Sequence, residues 1–322
     1  MKHNYYPWQR PGLRLLALTA LLVGLTPARD YAGYSGSFLR IGTSARSIAM
    51  GSAFTAELDR GFTAYHNPAG VVFLDKKQAT VLHHSLPLDR QFLAASFSTG
   101  LPPTAGLGFA WISSGVGNID GRSYSGFKTE KLTTSEDALY ISFANQISPG
   151  LAVGINIKLL FNRLPINSSD LTGKGTGFDL GIMYRKIPNL TVALTATDIN
   201  SKYAWNTSDA LDEEGRVYND YFPTFFRLGA GYQLATILLT ADYGYCVDLQ
   251  EGYYLGSAVR FGAEYRWSER YFVRGGFGNT RVAMGVGMNY SFWKENDAYL
   301  DYAVVYELPT GLAHVFTYAF NF

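Results

Sequence analysis

Apolar residues alternate with small or polar residues along many stretches of this chain, and this period of two limits what it can fold into. From Val282 to Phe292 the even positions carry Val, Met, Val, Met, Tyr and Phe, and the odd positions carry Ala, Gly, Gly, Asn and Ser. The stretches Ile237–Cys246 and Val259–Arg266 follow the same rule. A period of two is typical of a β-strand with two unlike faces. Helical periodicity is not sustained anywhere beyond the N-terminal region.

The alternating stretches predict about fourteen antiparallel strands, with soft boundaries. They fall near 78–85, 90–99, 105–114, 135–146, 151–162, 175–185, 190–198, 224–233, 237–247, 257–266, 271–278, 282–292, 298–307 and 312–322. The connections after even-numbered strands are short, and the long ones follow odd-numbered strands, at 115–134, 163–174, 199–223 and 248–256. Short turns on one rim and long loops on the other are typical of an outer-membrane β-barrel. An even strand number places both ends of the barrel on the periplasmic side.

The composition agrees with a membrane barrel. Charged residues make up 16% of the chain, whereas soluble proteins have about a quarter. Aromatic residues make up 15%, and mean hydropathy is −0.02, which excludes a multi-span helical membrane protein. The net charge of +1 argues against a nucleic-acid partner. The single cysteine, Cys246, excludes a disulfide framework.

The N-terminus has the three parts of a secretory signal peptide. Basic residues precede an apolar run from Leu15 to Leu25, and Thr26-Pro27-Ala28 supplies a small-residue cleavage site. The run is about half the length of a transmembrane helix, which argues against an uncleaved anchor. We therefore divide the chain into a signal peptide at 1–28, an N-terminal segment at 29–74 and a transmembrane barrel at 75–322, and expect export to the outer membrane of a diderm bacterium.

Charged residues occur on the face opposite the apolar one, which we assign to the inside of the barrel. A charge facing lipid would cost roughly 2–4 kcal/mol at mid-depth. Their signs tend to alternate from strand to strand, so we expect a network of ion pairs along the inner wall. Its predicted members are Lys158, Asp179, Arg227, Asp242, Arg260, Glu264, Arg274 and Asp301. The alternative, a selective ion pathway, is disfavoured by the mixed signs.

The segment from Tyr31 to Leu74 has no sustained alternation and is rich in Gly, Ala and Ser, with helix-like pieces near Ser44–Met50 and Phe62–His66. A fourteen-stranded barrel leaves an open lumen unless something fills it. We therefore predict that this segment forms a plug, or hatch, inside the barrel. The residues Asn67-Pro68-Ala69-Gly70 end it with a turn-forming pair, either as a rigid hinge or as a gate that moves when a ligand binds.

The last predicted strand ends in an aromatic residue. Its outward face carries Phe316, Tyr318, Phe320 and Phe322. Such an ending is similar to the signal that the barrel assembly machinery reads during membrane insertion.

Three stretches resemble the N-terminal signature of the PorV/PorQ family: Phe38–Gly42, Ala45–Phe54 and Asn67–Gly70. Looser matches follow at Gly177–Gly181, Phe222–Pro223, Arg227–Gly229, Arg274–Gly276 and Leu300–Ala303. The family is related to the FadL-like long-chain fatty-acid transporters, so the resemblance implies fourteen strands and an N-terminal hatch with an Asn-Pro-Ala motif.

The resemblance implies two alternative functions. The first is a protein-binding role in type IX secretion, with partners among the C-terminal domains of secreted cargo or the secretion-system proteins. The second is a FadL-like conduit for hydrophobic small molecules across the outer membrane. A purely structural or adhesin-like barrel is a third alternative. In each case outer-membrane lipid surrounds the barrel.

We expect no enzyme, cofactor or metal site. His83 and His84 are consecutive on a predicted strand and point to opposite faces, so together they cannot bind one metal ion. The stretch Gly173–Gly177 lacks the spacing of a phosphate-binding loop. Acidic residues between Ile199 and Pro223 favour a solvated surface loop over a calcium site. We find no set of catalytic residues.

Overall fold

A computed structural model describes residues 33–166, 169–208, 215–279, 281–293, 296–307 and 311–322. The predicted signal peptide lies outside these residues. Burial on the strands is the inverse of that in a soluble protein. Along the strand Arg281–Trp293 the apolar Val282, Met284 and Val286 are 53–67% exposed, whereas the intervening Ala283 is 3% exposed. Along the strand Ile237–Asp248 the outward Leu239 is 43% exposed and the inward Asp242 is 3% exposed. Apolar side chains therefore cover the outside and polar ones point in, as in a membrane barrel.

The described residues contain sixteen strands in one antiparallel sheet. Their bounds are β1 Gln78–Ser85, β2 Arg90–Leu101, β3 Ala105–Arg122, β4 Lys128–Ser148, β5 Leu151–Ile166, β6 Ser169–Ile187, β7 Leu190–Ile199, β8 Lys202–Asn206, β9 Val217–Tyr221, β10 Thr224–Leu234, β11 Ile237–Asp248, β12 Tyr253–Arg266, β13 Tyr271–Gly278, β14 Arg281–Trp293, β15 Asn296–Glu307 and β16 Gly311–Asn321. Fourteen of them form a closed barrel, in which β1 pairs with β16, β5 with β6 and β7 with β10. The predicted antiparallel barrel of fourteen strands is confirmed.

Three of the predicted long loops contain strands, and in two of them these are extensions of barrel strands. Most of 115–134 is strand, because β3 and β4 continue as a hairpin beyond the rim, with Asp120 opposite Lys131. Hydrogen bonds from Lys131 and Lys128 lower the pKa of the exposed Asp120 carboxyl. The stretch 163–174 is likewise strand in its described residues, since β5 and β6 pair as far as Ile166 and Ser169. Backbone pairing thus continues where the alternation of apolar and polar side chains stops. The alternation stops because no lipid contacts the hairpin there and requires apolar side chains on one face.

The predicted loop 199–223 contains a separate hairpin. The strands β8 and β9 pair with each other, and β8 also pairs with β6 at Gly173 and Lys174. Part of the acidic stretch, 209–214, lies outside the described residues. The inner face of this hairpin packs toward the lumen, with Tyr203 1% and Phe222 5% exposed.

The segment Gly33–Leu74, which we call the luminal segment, packs against the inward-facing side chains of the barrel. It contains two short α-helices, α1 (Ala45–Ala49) and α2 (Thr63–His66), and two 3₁₀ helices, η1 (Ser37–Arg40) and η2 (Pro68–Phe73). The Ser44 side chain caps α1 by accepting a hydrogen bond from the Ser47 N–H. Helix α1 contacts β13 to β16 and η2 contacts β2 to β6, so the segment reaches both sides of the wall. Among the described residues, no helix is long and apolar enough to cross a membrane.

Candidate functional site

The Asn67-Pro68-Ala69-Gly70 stretch fastens the luminal segment to the wall. The Asn67 amide donates to the carbonyl of Thr55 at 3.0 Å and to that of Ile182 on β6 at 3.2 Å. Its Oδ1 accepts from the Ala69 N–H at 3.0 Å, which caps η2, and Pro68 occupies the first turn. One fully buried side chain thus joins the cap of a helix, the segment and a barrel strand.

Glycines on the wall let this stretch approach closely. A Cβ at Gly181 on β6 would lie 2.1 Å from Asn67 Oδ1, and one at Gly154 on β5 would lie 2.5 Å from the Ala69 nitrogen. On β3, a Cβ at Gly106 would lie 2.8 Å from the Val71 carbonyl carbon. Real Cβ atoms do not approach this closely, so these positions need glycine for the observed packing.

The first group of buried charges joins the luminal segment to β12, β13 and β15. Glu264 accepts from Arg46 Nε at 2.9 Å and from Arg46 Nη2 at 3.0 Å, and from Arg274 at 2.5 Å. Arg274 also pairs with Asp301 at 2.6 Å, and Asp301 pairs with Arg60 at 2.7 Å. Two of the three cations therefore come from the luminal segment. This alternating chain compensates charges that would be costly alone in a dry interior.

The second group lies across the lumen on β5, β6 and β7. The Lys158 ammonium is 1% exposed and pairs with Asp179 at 2.6 Å and with Asp198. Asp198 has a φ of 63° at an irregularity in the β6–β7 pairing, and its N–H donates to Asp179 at 2.8 Å. Asn156 donates to Asp179 at 3.0 Å and to the Ala64 carbonyl of the luminal segment at 2.9 Å. This group also connects wall and segment.

The three remaining predicted charges bind other partners. Asp242 accepts from the Thr55 N–H at 3.1 Å and from the Thr55 hydroxyl at 2.7 Å. Arg260 stands opposite Asp242 in the β11–β12 register and donates to Asn279 Oδ1 at 3.1 Å and 3.2 Å. The Arg227 guanidinium lies 5.4 Å from the centre of the Phe225 ring.

All eight predicted charges therefore lie on the inner face, but the expected wall-to-wall pairing describes only part of the arrangement. Glu264 with Arg274, and Lys158 with Asp179, are pairs between neighbouring strands. Most other partners belong to the luminal segment or to Asp198, which the sequence reasoning missed. A usable signal was present: Arg46 is an isolated charge in a stretch of small and apolar residues, and Arg60 ends the charged stretch Glu57–Arg60 of the same segment.

A third polar group lies within the luminal segment itself. The Asp59 carboxylate accepts from Ser44 Oγ at 2.5 Å and contacts His66 Nε2 at 3.0 Å. Burial by itself raises the pKa of Asp59, but the hydrogen bond and charge of His66 outweigh it and hold that pKa below its ordinary value. Serine and histidine both bind the same carboxylate. A catalytic triad needs the histidine between the serine and the carboxylate, so this arrangement is not a triad. Its hydrogen bonds instead join the start of α1 to α2.

Apolar side chains pack together in the half of the lumen nearest the β8–β9 hairpin. Side chains from the luminal segment, from the wall and from the β8–β9 hairpin meet there, each 5% exposed or less: Phe38, Leu39, Phe62, Phe92, Ile112, Leu160, Tyr203, Phe222 and Val305. We call this group the apolar cluster. The rings of Tyr203 and Phe222 pack at 4.9 Å between centroids, and Phe222 rests on Gly36. The hairpin thus covers the cluster from the outside.

Three of the aromatic residues predicted as an insertion signal lie on β16, which closes the barrel against β1, and Phe322 directly follows that strand. Phe316, Tyr318 and Phe322 are 43–49% exposed on the outer face, and Phe320, on the same face, is half-buried. The Phe322 N–H and carbonyl both bond to Lys77, at 2.9 Å and 3.0 Å. The outer face of β16 is therefore aromatic down to the end of the chain.

The structure places the histidines as the alternation requires, with His83 exposed and His84 buried. In the part of the chain that the structure describes, no group of three or more His, Cys, Asp or Glu side chains could hold a metal ion.

Solved structures share this fold. The Ralstonia pickettii toluene transporter TbuX has a TM-score of 0.59 at 16% identity, over 87% of this chain and 97% of its own. The CymD monoaromatic hydrocarbon channel has a TM-score of 0.60 at 13% identity, over 87% and 97%. A Pseudomonas aeruginosa FadL homologue has a TM-score of 0.59 at 12% identity, over 88% and 98%. No protein-family model and no curated protein matches this sequence.

These likenesses show that the chain shares the barrel fold of these transporters and channels. They give no support to the PorV/PorQ assignment or to a role in type IX secretion. Of the two functions implied by the resemblance, the FadL-like conduit agrees better with the comparisons. At such low identity the fold alone is transferred, and the function has to be argued from the site.

Proposed function

We propose that this protein is an outer-membrane conduit for hydrophobic small molecules. The observation that carries the proposal is the apolar cluster. The lumen of a water-filled porin is polar, whereas here Phe62, Ile112 and Leu160 face the interior and are fully buried. A path through this half of the lumen favours solutes that leave water readily, and the charge groups deeper in the barrel disfavour free ion flow.

The luminal segment serves as the hatch of this conduit. Its polar contacts with the wall are separate hydrogen bonds and ion pairs along its length, among them those of Arg46, Thr55, Arg60 and Asn67, rather than a continuous strand pairing. A segment without strand pairing is able to shift by exchanging such contacts. The signal peptide and the barrel together lead us to place the protein in the outer membrane, after insertion by the barrel assembly machinery.

The proposal is tested by titrating the purified protein with toluene while recording tryptophan fluorescence, since Trp205 packs against the apolar cluster. We expect saturable binding. Proteoliposomes should show no sugar-driven swelling. Leu160→Asn places an amide among apolar side chains and should weaken toluene binding about tenfold. Leu164→Asn, at an exposed position on the same strand, is the matched control. Rapid sugar swelling, or toluene binding that is unaltered by Leu160→Asn, would contradict the proposal.

A further inference from the structure

The rim of the barrel is low at the turn between β13 and β14. The β12–β13 pairing reaches Phe261 opposite Phe277, and β12 continues outward from there to Tyr253. Strand β13 has eight residues, about 26 Å of chain at 3.3 Å per residue. At a tilt of about 40° it rises roughly 20 Å, less than the apolar band of about 25 Å. Because exposed Trp267 and Tyr271 mark its inner end, its outer end lies at the depth of the outer leaflet.

A cavity opens behind this low turn. It is small, partly open to solvent, and lies between η1, α1 and the strands β1, β13, β14 and β15. Its polar lining consists of Arg40, Ser52, His84, Asn279 and Arg281, and no carboxylate lines it. Arg281, Ser52 and His84 thus line the cavity from β14, the luminal segment and β1, while Arg40 borders it with a guanidinium that donates to the Tyr34 and Ser35 carbonyls.

His84 is an independent indication of a ligand. Its side chain is 2% exposed, and neither ring nitrogen has a hydrogen-bond partner among the described residues. A buried polar group without a partner is costly, and native proteins seldom contain one. The Phe92 ring stands edge-on to the His84 ring, at 6.1 Å between ring centroids, and supplies no hydrogen-bond acceptor.

We propose that this cavity binds a phosphate-type oxyanion, supplied by the headgroup of an anionic lipid in the outer leaflet. Arginine suits this ligand because its planar donors match the oxygens of a phosphate group. The acyl chains lie outside, on the exposed Val282 and Met284 directly below the turn, while the headgroup passes over the low rim. This site borders the apolar cluster, because Val305 lines both, but the proposal does not depend on the proposed function.

The experiment measures binding to the purified full-length mature chain in a nonionic detergent. The probes are didecanoyl phosphatidic acid, inorganic phosphate alone, and the uncharged diacylglycerol of the same chain length. We expect phosphatidic acid to bind and diacylglycerol not to bind. Arg281→Gln and His84→Gln should each weaken phosphatidic acid binding about ten- to a hundredfold, the effect of losing a hydrogen bond to a charged group. Arg90→Gln is the matched control, because Arg90 lies at the same rim outside the cavity and bonds to the Pro87 carbonyl.

The outcomes separate the sources of the oxyanion. Inorganic phosphate that binds as tightly as phosphatidic acid would support the oxyanion site and overturn the lipid as its source. Equal binding of diacylglycerol and phosphatidic acid, or equal losses in Arg281→Gln and Arg90→Gln, would overturn the site itself. If Arg281→Gln does not fold, Ser52→Ala takes its place, and unchanged phosphatidic acid binding in both Ser52→Ala and His84→Gln would overturn the proposal.

Discussion

Replacing Glu264 by glutamine should release the luminal segment from the wall. The Glu264 carboxylate accepts hydrogen bonds from Arg46 Nε at 2.9 Å and Arg46 Nη2 at 3.0 Å. It also accepts one from Arg274 Nε at 2.5 Å. The amide of glutamine carries no charge and turns N–H donors toward two guanidinium groups. Removing one partner of a buried ion pair costs about 3–5 kcal/mol. The undocked population of the segment should therefore rise about a hundredfold to a few thousandfold.

Cysteine protection measures this change. In a Cys246→Ser background, Ser47→Cys introduces a nearly isosteric thiol on the buried side of α1, next to Arg46. When docking is fast, the rate of modification by a membrane-impermeant thiol reagent is proportional to the undocked population. We expect this rate to rise by the stated factor in Glu264→Gln, with an unchanged β-sheet circular dichroism spectrum.

Glu57→Gln is the matched control. Glu57 contacts the same Arg46, but at 3.7 Å and with a side chain that is 21% exposed. Pairs of this kind contribute about 0–1 kcal/mol, so the labelling rate should change less than about fivefold. If Glu264→Gln and Glu57→Gln raise the rate equally, the buried charge group does not hold the segment and the reasoning is refuted.

Three further predictions follow from other parts of the fold. Gly181→Val should displace the luminal segment and raise the labelling rate of Ser47→Cys, because its Cβ would overlap Asn67 Oδ1. Gly275→Val is the control and should leave the rate unchanged, because a Cβ at Gly275 has open space around it. Equal labelling rates in the two variants would contradict the close packing. Deleting Phe322 should lower the yield of folded barrel in the outer membrane, measured by heat-modifiable gel mobility, and an unchanged yield would remove the insertion role. The intact mass of the membrane-purified protein should correspond to a chain that starts near Arg29, and a mass including the first 28 residues would contradict cleavage.

The barrel was predictable because a membrane imposes a simple rule on each strand. Every residue that faces lipid must be apolar, so the period of two is visible locally, as in Val282–Phe292, without knowledge of any partner strand. The same rule explains the error at 115–134: beyond the lipid, β3 and β4 stay paired through backbone hydrogen bonds, which any side chain permits. Strand number and the inward direction of the charges thus came from sequence alone.

The partners of those charges were decided by tertiary structure. Arg46 and Glu264 lie 218 positions apart in the chain, and no periodicity relates a residue of the luminal segment to one place on the wall. Asp198 turns inward through a left-handed backbone conformation at a pairing irregularity, which alternation does not foresee. The height of the rim at the β13–β14 turn depends on the length of β13 relative to its neighbours. The cavity behind the turn depends on that length too. Local pattern reports which side of the wall a residue faces, whereas its contacts inside the barrel depend on how the chain closes and fills it.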